Sequence, residues 1–133
     1  MNTRVLVLVL LFMSKTCLPC TCIAASPSFG MEKAEVVFGA TAVGARLVGD
    51  HVDVDVQGLA PLKGDASRLH RLRTPSSRSA CGYVVRIPER YIFFASKDGS
   101  FDACGATRLL SDSELGDLMF KAIKIWTEQE KGK

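Results

Sequence analysis

Four cysteines constrain this chain more than any other feature. Cys20, Cys22, Cys81 and Cys104 follow an N-terminal apolar stretch, and a fifth, Cys17, lies just behind that stretch. Arg4 precedes Val5 to Met13, an unbroken run of nine apolar residues. A positive start followed by so short a run reads as a secretory leader and not as a membrane span. Residues 1–19 are therefore expected to be a signal peptide cleaved before Cys20; the rival position, after Ala24, would remove both Cys20 and Cys22. Export leads to an oxidising compartment, where four remaining cysteines imply two disulfides with three possible connectivities. Cys20 and Cys22 are too close in sequence to pair comfortably, so each is expected to reach a distant cysteine. Closing loops of that length should stabilise the fold by roughly 4 kcal/mol per bridge.

Removing 19 residues from 133 leaves 114, enough for one domain with a modest core. The leader holds Arg4 and Lys15 and no acid, so the remainder carries 15 Lys and Arg against 14 Asp and Glu. A net charge of +1 offers no argument for nucleic acid or an acidic substrate.

Ile23 to Phe29 contains small residues and Pro27 and reads as an extended, irregular lead-in. Ala34 to Val43 is rich in β-formers, with Gly39 marking a bulge or bend. After a turn at Gly44 and Gly49-Asp50, His51 to Gln57 alternates Val52, Val54 and Val56 with Asp53, Asp55 and Gln57, the pattern of a half-buried strand. Gly58 to Ala66 reads as a loop, and Ser67 to Arg73 as a third strand. Gly82 to Ile87 and Arg90 to Ser96 read as paired strands around Pro88-Glu89, and Asp98-Gly99 turns the chain toward Phe101 to Leu110. Ser111 and Glu114 form a possible capping box for a C-terminal helix. Its apolar stripe, Leu115, Leu118, Met119, Ala122, Ile123 and Trp126, has core-facing spacing. The expected fold is mainly β with a C-terminal α-helix: one small closed barrel stapled by disulfides.

Nothing in the chain resembles catalytic machinery. His51 and His70 are the only histidines, and neither has a second imidazole at ligand spacing. No nucleophile elbow, P-loop or dinucleotide glycine pattern occurs. Cys17-Leu18-Pro19-Cys20 has redox-motif spacing but follows a leader instead of a strand. The chain is read as a non-enzyme with no cofactor of its own. A basic group, Lys63, Arg68, His70, Arg71, Arg73 and Arg78, reads first as a solvated face and second as a patch for sulfated glycans.

Two stretches together bring a family into view. Cys20-Thr21-Cys22 stands at the expected mature terminus, and Thr74 to Tyr83 reads TPSSRSACGY. Ala34-Glu35-Val36-Val37, followed by Val43-Gly44, adds a third match. Over about residues 20–110 the chain resembles the tissue inhibitors of metalloproteinases, in their N-terminal netrin-like domain. It departs from vertebrate members in having Glu32 where they carry a further cysteine, and in a short loop between the first two strands.

The resemblance implies that residues 20–133 form a netrin-like domain, an OB-like barrel of five strands with bridges Cys20–Cys81 and Cys22–Cys104. It also implies a secreted protein of the extracellular space or matrix that inhibits zinc metalloproteinases. In that scheme the α-amino nitrogen and carbonyl oxygen of Cys20 chelate the zinc of the target protease. Thr21 enters the specificity pocket, Cys22 and Ile23 follow along the cleft, and Arg78, Ser79, Ala80 and Cys81 form the other half of the wedge. The alternative is a non-inhibitory netrin-like module that binds glycans or another extracellular protein through Arg68, Arg71 and Arg73. Neither reading involves nucleic acid, nor a membrane once the leader is cut.

Overall fold

The computed structural model describes residues 20–110 and 112–132. The expected signal peptide, Cys17 and Ser111 of the expected capping box lie outside them. A short helix α1 (Pro27–Lys33) precedes β1 (Val36–Val48), β2 (His51–Lys63), β3 (Arg71–Pro75), β4 (Glu89–Ala95), β5 (Arg108–Leu109) and the helix α2 (Asp112–Lys131). All strand pairs are antiparallel, in the order β3-β2-β1-β4-β5. The fold is thus mainly β. Among the described residues β3 and β5 form the two ends of the sheet, and an isolated parallel bridge, Arg73 to Ser100, links β3 to the segment after β4.

The two central strands explain their own sequences. Val36, Phe38, Ala40 and Ala42 of β1, with Tyr91, Phe93 and Ala95 of β4, enter one core. The intervening Val37, Ile92 and Phe94 enter a second core on the opposite face. A strand buried on both faces has no reason to alternate, hence the unbroken runs at Val36-Val37-Phe38 and Tyr91-Ile92-Phe93-Phe94. Phe38, Tyr83, Tyr91, Phe93 and Phe101 fill the first core as a chain of aromatic contacts, with ring centroids 5.3 Å apart for Phe93 and Phe101 and 6.0 Å for Tyr83 and Tyr91. In its first half β2 keeps the expected alternation at Val54 and Val56, which are buried on either side of half-buried Asp55, but Asp53, expected on the wet face, is buried as well.

Several boundaries differ from the sequence reading. β1 runs through Gly44 to Val48, and β2 runs through Gly58 to Lys63, so the turn between them is Gly49-Asp50 alone. The ladder absorbs the mismatch by register shifts at Val37/Phe38, Gly39/Thr41 and Ala42/Gly44. Such bulges bend a long strand and increase its twist. They let β1 pair with β2 along its whole length and with β4 over its first half. The third strand is Arg71–Pro75, later than the expected Ser67 to Arg73, and Gly82 to Ile87 is irregular instead of a strand. Of Phe101 to Leu110 only Arg108–Leu109 pairs.

The lead-in expected to be extended contains α1. Ser26 caps it by accepting a hydrogen bond from the Phe29 N–H at 3.3 Å, and Pro27 occupies its first turn. The Lys63 ammonium donates to the Met31 and Glu32 carbonyls at its other end, at 2.7 and 3.2 Å. Gly30 faces the sheet so closely that a Cβ there would collide with Ala106 and Phe94. Met31 is buried in the second core, where Ala122 and Leu118 of α2 also pack. The side chains of Leu115, Met119, Ile123 and Trp126 lie outside the described residues.

Candidate functional site

One edge of the molecule is assembled from two segments far apart in sequence. Cys20 is bonded to Cys81 and Cys22 to Cys104, with Cα separations of 5.1 and 5.4 Å. The bridges lie side by side: the Cys20 sulfur is 3.5 Å from that of Cys22 and 3.8 Å from that of Cys104. All four sulfurs fall within 4.8 Å of one another. Held as disulfides, they have no thiolate to offer a metal ion.

The backbone ties the same segments a second time. The Cys20 N–H donates to the Ser79 carbonyl at 3.0 Å, and the Ala103 N–H donates to the Cys81 carbonyl at 2.8 Å. The Ala25 N–H donates toward the Cys104 and Gly105 carbonyls, both at 3.2 Å. Asp102 braces that loop from within, its carboxylate accepting from the N–H groups of Cys104 at 2.9 Å and Gly105 at 3.0 Å. Residues 20–25 are therefore held along their length, although they belong to no regular element.

The second segment is a tight 3-10 turn, Arg78–Ala80. The Ser77 hydroxyl caps it, accepting from the Ala80 N–H at 3.2 Å, and the Gly82 N–H returns to the Ser77 carbonyl at 2.9 Å. Cys81 then takes a left-handed conformation, φ 66°, which a residue with a Cβ adopts only when its surroundings hold it there. Its disulfide and its N–H bond to the Arg78 carbonyl supply that hold. Gly82 can be nothing larger, because a Cβ would collide with the Pro75 carbonyl oxygen. Beneath the turn, buried Thr74 accepts the Tyr83 N–H at 2.9 Å.

The structure brings Cys20, Thr21, Cys22, Ile23, Arg78, Ser79, Ala80 and Cys81 together as one ridge. The two bridged residues Cys20 and Cys81 are half-buried and the other six are exposed. Ile23 is 92% exposed, an unusual state for an isoleucine on a covalently anchored segment. Val84 and Ile87, in the loop that follows, are also exposed. Sequence reasoning missed Ser77, Thr74 and Asp102 as supports of the ridge. Ser77 alone had a local signal, a serine three residues before the N–H it caps.

The basic group is dispersed. Arg71 and Arg73 point outward from β3, and each faces a carboxylate on β2: Arg71 Nε lies 2.8 Å from Asp55 and Arg73 Nε 3.5 Å from Asp53. Asp53 is also 3.9 Å from Arg46 and 3.4 Å from His51, whose other ring nitrogen is 3.3 Å from Asp50. The alternation that turns Val52, Val54 and Val56 toward the core thus creates an acidic row beside the arginines. The Arg71 hydrogen bond holds the Asp55 carboxyl below the ordinary carboxylate range. His70 is exposed, whereas His51 is partly covered by this network. Among the described residues Arg68 has no ion-pair partner.

No family model matches the chain, and no match is found among curated proteins.

Proposed function

We propose that the chain, cut before Cys20, is a secreted inhibitor of zinc metalloproteinases and that the ridge is its inhibitory edge. The observation that carries this reading is the double attachment of Cys20 to the 78–81 turn, by the disulfide to Cys81 and by the N–H bond to Ser79. Cleavage converts the Cys20 amide into a primary amine. A neutral primary amine has two N–H groups and a lone pair, so it keeps the Ser79 bond and still presents the lone pair to a metal. Its reference pKa, about 7.7–8.0, makes loss of the third proton inexpensive near neutrality. The amine and the Cys20 carbonyl oxygen chelate the zinc of the target protease and displace the water that the zinc would otherwise activate. Thr21, exposed beside them, enters the adjoining specificity pocket, and Ile23 lies along the cleft. Because the wedge is rigid before it binds, little freedom is lost on association. The OB-like closed barrel of a netrin-like domain belongs to the same reading, supported by the bulged β1 shared between β2 and β4.

Glycan binding through Arg68, Arg71 and Arg73 is the less favoured reading. Two of those three guanidinium groups already face carboxylates, which would compete with a sulfate.

The test compares the secreted protein, its terminus verified by sequencing, with a variant extended by one alanine before Cys20. Titrated against a matrix metalloproteinase, the native terminus is expected to inhibit stoichiometrically. The extended form should lose at least about 100-fold in potency at unchanged melting temperature, because coordination through the amine is removed. Equal potency in the two forms would rule out chelation.

A further inference from the structure

On the face of the sheet that carries the second core, α1, β4–β5 and α2 leave a groove of about 330 Å³. That is at the lower end of the size range of small-molecule sites, roughly 300–1,000 Å³. Met31, Ile92, Phe94, Leu118 and Ile125 make its walls apolar. Two cations join them, Arg108 from β5 and Lys121 from α2, and no acidic side chain lines the groove among the described residues. Arg108 stands opposite Ile92 in the β4–β5 ladder, so its stem rises from the same face as the apolar wall. Its Nε is buried and has no hydrogen-bond partner among the described residues. A buried guanidinium N–H without an acceptor is costly, and a carboxylate is the partner that suits its planar donor geometry.

We infer that this groove is a binding site for a small amphipathic carboxylate of the medium-chain fatty-acid class. The carboxylate pairs with Arg108, Lys121 adds a second positive charge at the exposed side, and the alkyl chain covers the wall between Met31 and Ile125. Each half of the ligand answers a separate feature of the groove. A neutral alcohol of equal length leaves Arg108 without an anion. An inorganic anion leaves the apolar wall in water. The site owes nothing to the ridge, so the two assignments stand or fall independently.

The experiment is calorimetric and NMR titration of the secreted protein with dodecanoate, kept below its critical micelle concentration. The expected result is saturable one-to-one binding with amide shifts centred on Ile92, Arg108 and Ala122. Arg108→Gln should weaken it about tenfold or more, the loss expected for a hydrogen bond to a charged group. Dodecanol should bind the native protein more weakly by a similar factor, and inorganic phosphate should not compete. Ala122→Phe, which fills the groove, should remove binding, and if it fails to fold Arg108→Gln still decides. Absence of saturable binding by the native protein overturns the proposal. So does equal affinity of Arg108→Gln for dodecanoate, equal affinity for dodecanol, or displacement by phosphate.

Discussion

Around the middle of β1 and β4 almost every side chain is enclosed, whereas the ridge of residues 20–23 and 78–81 keeps most of its side chains in water. The sheet centre is positioned by apolar burial and a continuous hydrogen-bond ladder. The ridge has neither, and is positioned by two disulfides, one capped turn and a few backbone bonds to neighbouring loops. Burial positions a side chain by hiding it, so it cannot shape an edge that, in the function proposed above, enters another protein's cleft. Covalent anchoring can, because it restricts the chain without hiding it. The contrast predicts that stability and inhibition respond to different substitutions.

The largest effect on stability should come from the sheet centre. Phe93 is fully buried and touches Phe38, Tyr91 and Phe101. Phe93→Ala should cost about 3–5 kcal/mol in denaturant unfolding. The fraction that stays folded should inhibit with native potency; a potency loss beyond that fraction would show that the two regions are coupled.

Removing the Cys22–Cys104 bridge with paired serines should cost about 4 kcal/mol, given the 82 residues it spans. Here inhibition should fall as well, even at temperatures where circular dichroism reports a native sheet. Retained potency would mean that the Cys20–Cys81 bridge alone orients the ridge.

Ser77→Ala deletes the cap of the 78–80 turn and should cost about 0.5–2 kcal/mol at most. Its signature is local: faster amide exchange at Ala80 with no change in the exchange of Phe93. Uniform acceleration at both would contradict the separation.

The smallest effect belongs to the ion-pair row. The Asp55 carboxyl is held below its ordinary 3.8 by the Arg71 hydrogen bond. A carboxyl with a depressed folded-state pKa contributes stability above its unfolded value, and that contribution disappears as pH falls through the folded value. Arg71→Gln should return Asp55 to the ordinary range in an NMR titration and flatten the stability profile below about pH 4. Because the pair is solvent-exposed, stability near neutrality should hardly change.

Much of the architecture was legible because its physics is local. Val52, Val54 and Val56 announced a strand, although Asp53 between them is buried, and Gly49-Asp50 announced a turn, although Gly44, read with it, lies inside β1. The reading failed where distant contacts overrule propensity. Gly58 to Lys63 looked like a loop and instead extends β2, because β1 offers it a partner as far as Val37. Ile23 to Phe29, with its small residues and Pro27, read as an extended lead-in, yet α1 begins at Pro27 and Gly30 lets it lie against Ala106 and Phe94.

By itself, the sequence determined the spacing of the cysteines and the alternation of Val52, Val54 and Val56 in β2. The alternation depends on neighbours a few positions apart. Only the tertiary structure decided that Arg71 and Arg73 are answered by Asp55 and Asp53, and that Cys20 meets Ser79 as well as Cys81. Those are distances between residues up to 61 positions apart along the chain, and composition and periodicity carry no measure of them.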